Sequence, residues 1–316
     1  MKIPGLYNGK DKTFFHVSYE GLRLILPQPG AVFLVPDLCM RGDTASCGSG
    51  RAPAATALLP VVQAFPVPNG PNVLCDPAAD PTCPSSGQSG AAQFAAAWSN
   101  PGSTNTTSAR LDHIVSQKLR LFFRFSNSTS DAESKGFPDE IQFGAYVPPS
   151  EVLRTPYTLR TYTAGANSVL SSLLSNDFRL NYSSNVTSST LDIEAFGGSK
   201  PANFVHLAGF NGPTASVGFG FALGGGFLQL APQVVAGAQS QWNLVDTVHF
   251  VKGRHQMSFG GDYRRLAPYA VPFNPAFSYF FSFESDIEAN TNANGFAQAF
   301  APAHPLYTNY SLFAQD

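Results

Sequence analysis

SQWNLVDTVHFVKGRHQMSFGGDYRR, residues 240–265, is two alternating arms joined at Lys252-Gly253-Arg254. On the first arm Trp242, Leu244, Val248 and Phe250 share one parity, and Asn243, Thr247 and His249 the other. On the second, Met257, Phe259 and Tyr263 alternate with Ser258, Asp262 and Arg264. A period of two places each set on its own face of a strand. A glycine-centred turn between two such runs predicts a β-hairpin. Each arm is about ten residues long, enough for a tilted transmembrane strand. An aromatic face backed by a polar one suits the wall of a membrane barrel. A hairpin in a soluble sandwich would read the same from this stretch alone.

Three further stretches repeat the pattern. In KTFFHVSYEGLRL, residues 12–24, Phe15, Val17 and Tyr19 alternate with His16, Ser18 and Glu20. SARLDHIVSQKLRLFFRFS, residues 108–126, is a second hairpin turning near Ser116-Gln117-Lys118. Ala109, Leu111 and Val115 stand against Arg110 and Asp112, and Leu119, Leu121, Phe123 and Phe125 against Arg120 and Arg124. Residues 157–183 form a third hairpin linked near Ser171-Ser172, with Phe178, Leu180 and Tyr182 opposing Arg179, Asn181 and Ser183. A last strand begins near Tyr307, and its facing cannot be read from parity. About eight strands result.

Composition agrees with this reading. Only 13% of the 316 residues are charged, about half the usual share, while there are 27 Phe and 11 Tyr. The net charge of −2 argues against a general nucleic-acid partner. No apolar run reaches the roughly 18 residues of a membrane helix, and barrel strands leave no such run because their apolar residues alternate. The start, MKIPGLYNGKDKTFF, lacks the apolar core of a signal peptide and at face value reads as cytoplasmic. A chain that is part of a longer one accounts for this start and for an end at Asp316 inside a strand.

The connections fall into two classes. Long ones near 25–107, 127–156, 184–239 and 266–307 alternate with tight turns at 116–118, 171–174 and 252–254. In an up-and-down barrel every second connection emerges on the same side, so all long links share one end. Long extracellular loops and short periplasmic turns are the outer-membrane arrangement. The longest link holds 12 of the 25 prolines and all four cysteines, and is expected to be a structureless extracellular loop. Cys39 with Cys47 and Cys75 with Cys83 suggest two local disulfides, although four cysteines allow three connectivities. The glycine-rich stretch VGFGFALGGGFLQL, residues 217–230, reads as a flexible apolar loop over the barrel mouth. It lacks the strand–helix frame of a nucleotide-binding loop. Arg41-Gly42-Asp43 matches an adhesion tripeptide, a pattern short enough to recur by chance.

KDKTFFHVSYEGLRL, AFPVPNGP at 64–71, SARLDHIVSQKLRLFFRFS, NDFRLNYSSN, QWNLVDTVHFVKGRHQMSFGGDYRRL and YSLFAQD also resemble, in order, TonB-dependent outer-membrane receptors of the Oar-like group. That group carries a carboxypeptidase-regulatory-like N-terminal domain. The resemblance runs over nearly the whole chain and implies the middle of a larger barrel of 22 strands with a plugged lumen. It implies an outer-membrane location in a Gram-negative bacterium, lipid around the wall, and TonB and a plug domain as partners of the full-length receptor. The regulatory domain, plug, TonB box and closing strands are not matched. The 316 residues therefore read as one partial barrel domain that is not transport-competent by itself.

Two functions remain open. The first is ligand uptake through such a receptor, with His16, Glu20, Arg110, Asp112, Arg120, Arg124, Arg179, Asp262 and Arg264 facing the lumen. Most of these would only satisfy the wall. The second is a secreted or surface all-β adhesion module stacking glycans on Tyr269, Phe273, Phe277, Tyr279, Phe280 and Phe281. A closed eight-stranded barrel is a variant and needs the last strand to pair with the first. No catalytic constellation is read: the six histidines are scattered, and Asp112 and His113 point to opposite faces. Neither a metal site nor a cofactor site is expected, and the ligand stays unidentified.

Overall fold

The structure, a computed structural model, describes residues 2–3, 7–79, 83–137, 145–212, 215–271 and 275–316. Eight strands form its wall: β1 Thr13–Pro27, β2 Ser99–Ser116, β3 Leu119–Phe137, β4 Tyr157–Ser171, β5 Leu174–Ile193, β6 Gln233–Lys252, β7 His255–Val271 and β8 Tyr307–Gln315. Each pairs antiparallel with the next, giving an up-and-down meander. Among the described residues β1 pairs with β2 and β8 with β7, but β1 does not pair with β8. The wall is an open sheet, and the closed eight-stranded variant is not what forms.

The strands are longer than the ten-residue arms read from parity. β5 and β6 each have 20 residues, roughly 66 Å of extended chain. The outer halves at 99–107, 127–137, 184–193, 233–239 and 266–271, expected to be loop, continue the strands instead. In 99–107, 127–137 and 184–193 the run of Ser, Thr and Asn gives little amphipathic contrast, yet the wall strands pair there in continuous register, and only the edge with Ala145–Arg154 shifts, between Lys135 and Phe137.

The tight turns sit where expected and are shorter. Lys252 pairs with His255, so Gly253-Arg254 alone makes the link. Gly253 takes φ +64°, the left-handed conformation that primed hairpin turns need at their first central position. The links at Gln117-Lys118 and Ser172-Leu173 lack glycine. Each is preceded by a register irregularity, at Ile114/Ser116 and Val169/Ser171, that adds local twist.

Register settles the two faces. Val17, Ala109, Phe125, Tyr162, Tyr182, Trp242 and Arg265 stand opposite one another in one continuous row. Ring centroids along it are 5.0 Å apart for Phe125–Tyr162, 6.2 Å for Tyr162–Tyr182 and 4.7 Å for Tyr182–Trp242. Toward the tight turns this face carries Phe123, Leu180, Leu244, Tyr263 and Tyr310 in the next row. Beyond the aromatic row it turns polar at Asn127, Arg160, Ser184 and Ser240. From Trp242 to Phe250 is eight residue steps, about 27 Å along the strand. That length is close to the roughly 25 Å apolar band of outer-membrane barrels, whose rims carry aromatic girdles. The facing of β8 follows from its pairing: Tyr310 and Leu312 share the apolar face with Tyr263, and Asn309 and Ser311 the polar face with Arg264 and Asp262.

The tightly packed core lies outside the wall. The largest fully buried apolar side chains include Phe33, Phe65, Phe204, Phe221, Phe281 and Ile287, all in the long connections. Residues 28–98 are not structureless. They contain a three-stranded sheet of Ala31–Pro36, Gln88–Ala96 and Asn72–Leu74 and a short helix at Leu59–Gln63. Disulfides join Cys39 to Cys47 and Cys75 to Cys83. The glycine-rich stretch is not flexible either: Ser216–Leu223 and Gly226–Leu230 form a hairpin. Gly224 and Gly225 turn it at φ +65° and +73°, as a type I′ link requires. Val217, Phe221, Leu228 and Leu230 are fully buried there. Ala276–Phe281 adds in parallel to Ser216–Leu223. Ala145–Arg154 joins this cap to the wall, pairing with the outer ends of β3 and β5 and with Gly226–Leu230.

Candidate functional site

The polar face of the wall holds all nine residues read as lumen-facing. His16, Arg110, Arg124, Thr163, Asn181, Asn243 and Arg264 form one cross-strand row. One step nearer the tight turns lie Asp112, Phe122, Gly165, Arg179, Val245 and Asp262. The next row contains Arg120, Asn167, Asp177 and Thr247. Glu20 stands apart, farther out beside Thr106, Ser128 and Asn185. The face is thus zoned. Charges gather toward the tight turns, and a hydroxyl and amide belt of Ser18, Ser108, Ser126, Thr161, Ser183 and Gln241 lies above them.

Local chemistry explains part of the charged zone. Asp112 accepts from Arg110 Nε and Nη2, both at 2.8 Å, a bidentate pair between alternate residues of β2. The Arg110 guanidinium carbon lies 4.9 Å from the Phe122 ring centre. Asp262 accepts from Asn243 and lies 3.7 Å from Arg264. Asp177 accepts from Asn167 and sits 3.3 Å from His249, whose Nδ1 is 2.9 Å from Ser258 Oγ. Asp177 and His249 were not singled out from the sequence, although Asp177 has the parity of Arg179. Asp112 and His113 do diverge: His113 Nδ1 is 2.8 Å from Thr13 Oγ1 on the apolar face. Gly165 leaves room for the Phe122 ring, because a Cβ there would come within 2.3 Å of it. Gly260 does the same for Phe313.

The cap offers a second candidate. A cleft of about 610 Å³ is bounded by Asp192, Asn203, His206, Phe210, Asn211 and Gln233. Asn203 Oδ1 accepts from His206 N and so starts the short helix Phe204–Leu207. The described aromatic residues of the glycan platform each pack against another aromatic ring of the long connections. Phe277 stacks on Phe210 at 4.0 Å, Tyr279 on Phe219 at 5.4 Å and Phe281 on Phe221 at 5.7 Å. Phe280 contacts Phe227 and Phe296, and Tyr269 stacks on His304 at 4.2 Å. Phe273 lies outside the described residues.

The Arg41-Gly42-Asp43 tripeptide is consumed by the fold. Arg41 is 8% exposed and donates to the carbonyls of Val62 at 2.8 Å and Phe65 at 2.7 Å, closing the end of the Leu59–Gln63 helix. Burial pushes its guanidinium down to about 10. Asp43 caps the helical turn Thr44–Ser46 through Ala45 N. Deeper in the cap, Arg51 lies 2.7 Å from Asp37 and also pairs with Glu284, tying the Glu284–Ala289 helix to the disulfide region. Burial raises the Glu284 carboxyl to about 7 in spite of that cation. Glu151 is fully buried and accepts from Ala231 N at 2.6 Å, and burial raises its carboxyl to about 8.

No curated protein matches the chain. Among solved structures it is similar to the outer membrane transporter YddB from Escherichia coli, at a TM-score of 0.48 and 8% identity over 69% of this chain. The chain spans about a quarter of that transporter, 25% of its length. Residues 3–309 match the family described as outer membrane beta barrel domain. The chain belongs to the outer membrane β-barrel domain family, and its place is the outer membrane.

Proposed function

We propose that the chain forms part of the barrel of a TonB-dependent, Oar-like receptor that takes a bulky ligand across the outer membrane. The polar face lines its lumen and the apolar face meets lipid. The observation that carries this reading is the sorting of faces. The nine candidates, eight charged residues and His16, share one face of a single meander, and the aromatic row lies on the other. Unpaired strand edges do not persist in hydrocarbon, so β1 and β8 pair with further strands in the complete wall. A lumen wider than eight strands admits a large ligand. The cap on the long-connection side provides the surface that a ligand meets first. TonB and a plug domain supply the energy coupling, and the chain performs no chemistry on what passes.

The test is uptake in the native bacterium with and without the gene. Fluorescent oligosaccharide, peptide and ferric siderophore probes are offered to both strains, with and without a protonophore. The receptor reading expects one probe class to enter only when the gene and the proton gradient are both present. Entry of every probe without the gene, or entry indifferent to the protonophore, sinks it.

A further inference from the structure

The apolar face of the wall carries a carboxylate at the depth where a barrel meets hydrocarbon. Asp246 lies four residues from Trp242 and four from Phe250, halfway along the apolar band of β6. Register places it in a row with Phe178, Gly261 and Leu312. Its Oδ1 accepts from Asn176 Nδ2 at 2.6 Å, and its Oδ2 takes part in no hydrogen bond or ion pair among the described residues. Asn176 Nδ2 spends its other hydrogen on the Thr247 carbonyl, at 3.2 Å. Between the Trp242 and Phe250 rows, β5 to β8 present no lysine, arginine or histidine on this face. An ionisable side chain at membrane depth is costly and characteristically pairs with another polar group.

The carboxylate lines a groove of about 590 Å³ on that face. Leu244 and Val248 flank it on β6, Phe259 and Tyr263 form the β7 side, and Leu312 the β8 side. Gly261, directly across from Asp246, keeps the floor low: a Cβ there would meet only Leu312 Cδ2 at 3.3 Å and the Ser311 carbonyl oxygen at 3.8 Å. Apolar walls around one acceptor suit an apolar partner that brings one donor. Lipid headgroups stand at the rims of the band, about 13 Å along the strand from Asp246. A second copy brings no cation to that depth either. The two-fold axis of a membrane dimer runs along the bilayer normal, so depth is kept and Asp246 meets Asp246. With Oδ1 taken by Asn176, the one open oxygen matches the point charge of an ammonium better than the two-pronged fork of a guanidinium.

We propose that this groove is a docking surface for another membrane-spanning protein, which presents a lysine at mid-bilayer depth among apolar residues and pairs it with Asp246. The inference rests on the apolar face meeting lipid.

Its test is separate from uptake. The protein is reconstituted in phosphatidylcholine bilayers with synthetic leucine–alanine helices of roughly 20 residues. Each helix carries a dansyl group at one end and either lysine or leucine at its centre. Energy transfer to dansyl from Trp242, on the same face as the groove, reports association, and Trp242→Phe should abolish that signal. The lysine helix should bind saturably and roughly tenfold tighter than the leucine helix. Asp246→Asn should bring the two within about twofold of each other by weakening the lysine helix alone. Asp177→Asn, on the opposite face, removes the same charge and should leave the preference intact. Heat-modifiable migration in gels shows that each variant is folded. The inference is overturned if both helices bind the wild-type protein equally, or if the lysine preference survives Asp246→Asn. A Leu244→Cys that reacts with a water-soluble maleimide in membranes removes the lipid-facing wall and the receptor reading with it. A protected Leu244→Cys without lysine preference counts against the docking surface alone.

Discussion

At the scale of the residue, two buried or membrane-level carboxylates carry testable energetics. Glu151 sits in the strand that joins cap to wall, wholly buried, with one backbone donor from Ala231. Its carboxyl, raised to about 8 from an ordinary 4.5, keeps a proton in the folded protein that the unfolded chain releases. The stabilisation is therefore complete below about pH 4.5 and is lost as pH rises through 8, by up to roughly 5 kcal/mol. Denaturant melts of the cap between pH 5 and pH 9 should show that decline. Glu151→Gln should lessen the decline and leave the part that belongs to Glu284, and a wild-type cap that gains stability toward pH 9 would refute the assignment. On the apolar face, Asn176 donates to Asp246 at 2.6 Å, between the Phe178 and Val248 rows. Asn176→Leu leaves that carboxylate without its donor in an apolar setting and should cost about 1–3 kcal/mol of wall stability in urea titrations.

At the scale of the element, the glycines on the polar face are packing devices. Gly165 faces Phe122 directly across the β3–β4 pair, and any side chain would meet the ring at 2.3 Å and the Phe178 carbonyl oxygen at 2.9 Å. Gly165→Val should displace Phe122, with a cost of about 1–3 kcal/mol, the usual penalty of overpacking. The same substitution at Gly225 meets no neighbour but has to adopt φ +73°, so its cost is backbone strain instead. The disulfide loops act on the cap alone. Cys39→Ser with Cys47→Ser opens a loop whose first cysteine is 1% exposed, and should lower cap stability by roughly 2–4 kcal/mol. Limited proteolysis would then cut within residues 28–98 first and leave the wall strands intact. Simultaneous loss of wall protection would mean that the two do not unfold separately.

At the scale of the whole molecule, the chain is a wall that buries little of its own surface and a cap that buries much. Tyr310 and Leu312 on the edge strand β8 are 78% and 89% exposed, whereas Phe33, Phe65 and Phe221 in the cap are fully buried. That contrast suits a sheet whose apolar solvent is lipid and a cap whose solvent is water. Single cysteines at alternate positions of β6 in membranes should separate the two faces. Val248→Cys and Leu244→Cys should resist a water-soluble maleimide, and Thr247→Cys and Asn243→Cys should react. Equal labelling of both sets would contradict a membrane-spanning wall.

The sequence by itself determined the meander, the tight turns and the division of the wall into two faces. A strand's side chains alternate by geometry alone, so parity in QWNLVDTVHF or NDFRLNYSS assigns a face before any partner is known. The nine polar-face residues were legible for that reason, and so was the divergence of Asp112 from His113. The tertiary structure decided what lacks a local period. The outer halves of β2, β3 and β5, rich in Ser, Thr and Asn on both faces, are strand because neighbours supply the hydrogen bonds. The proline-rich stretch 28–98 and the glycine-rich hairpin fold because they pack on each other across long separations, Phe65 on Phe221 and Arg51 on Glu284. The same holds for the arginine cluster around Phe122. Arg120 and Arg124 are near in sequence, but only the register of β3, β4 and β5 sets Arg179 across Gly165 from Phe122.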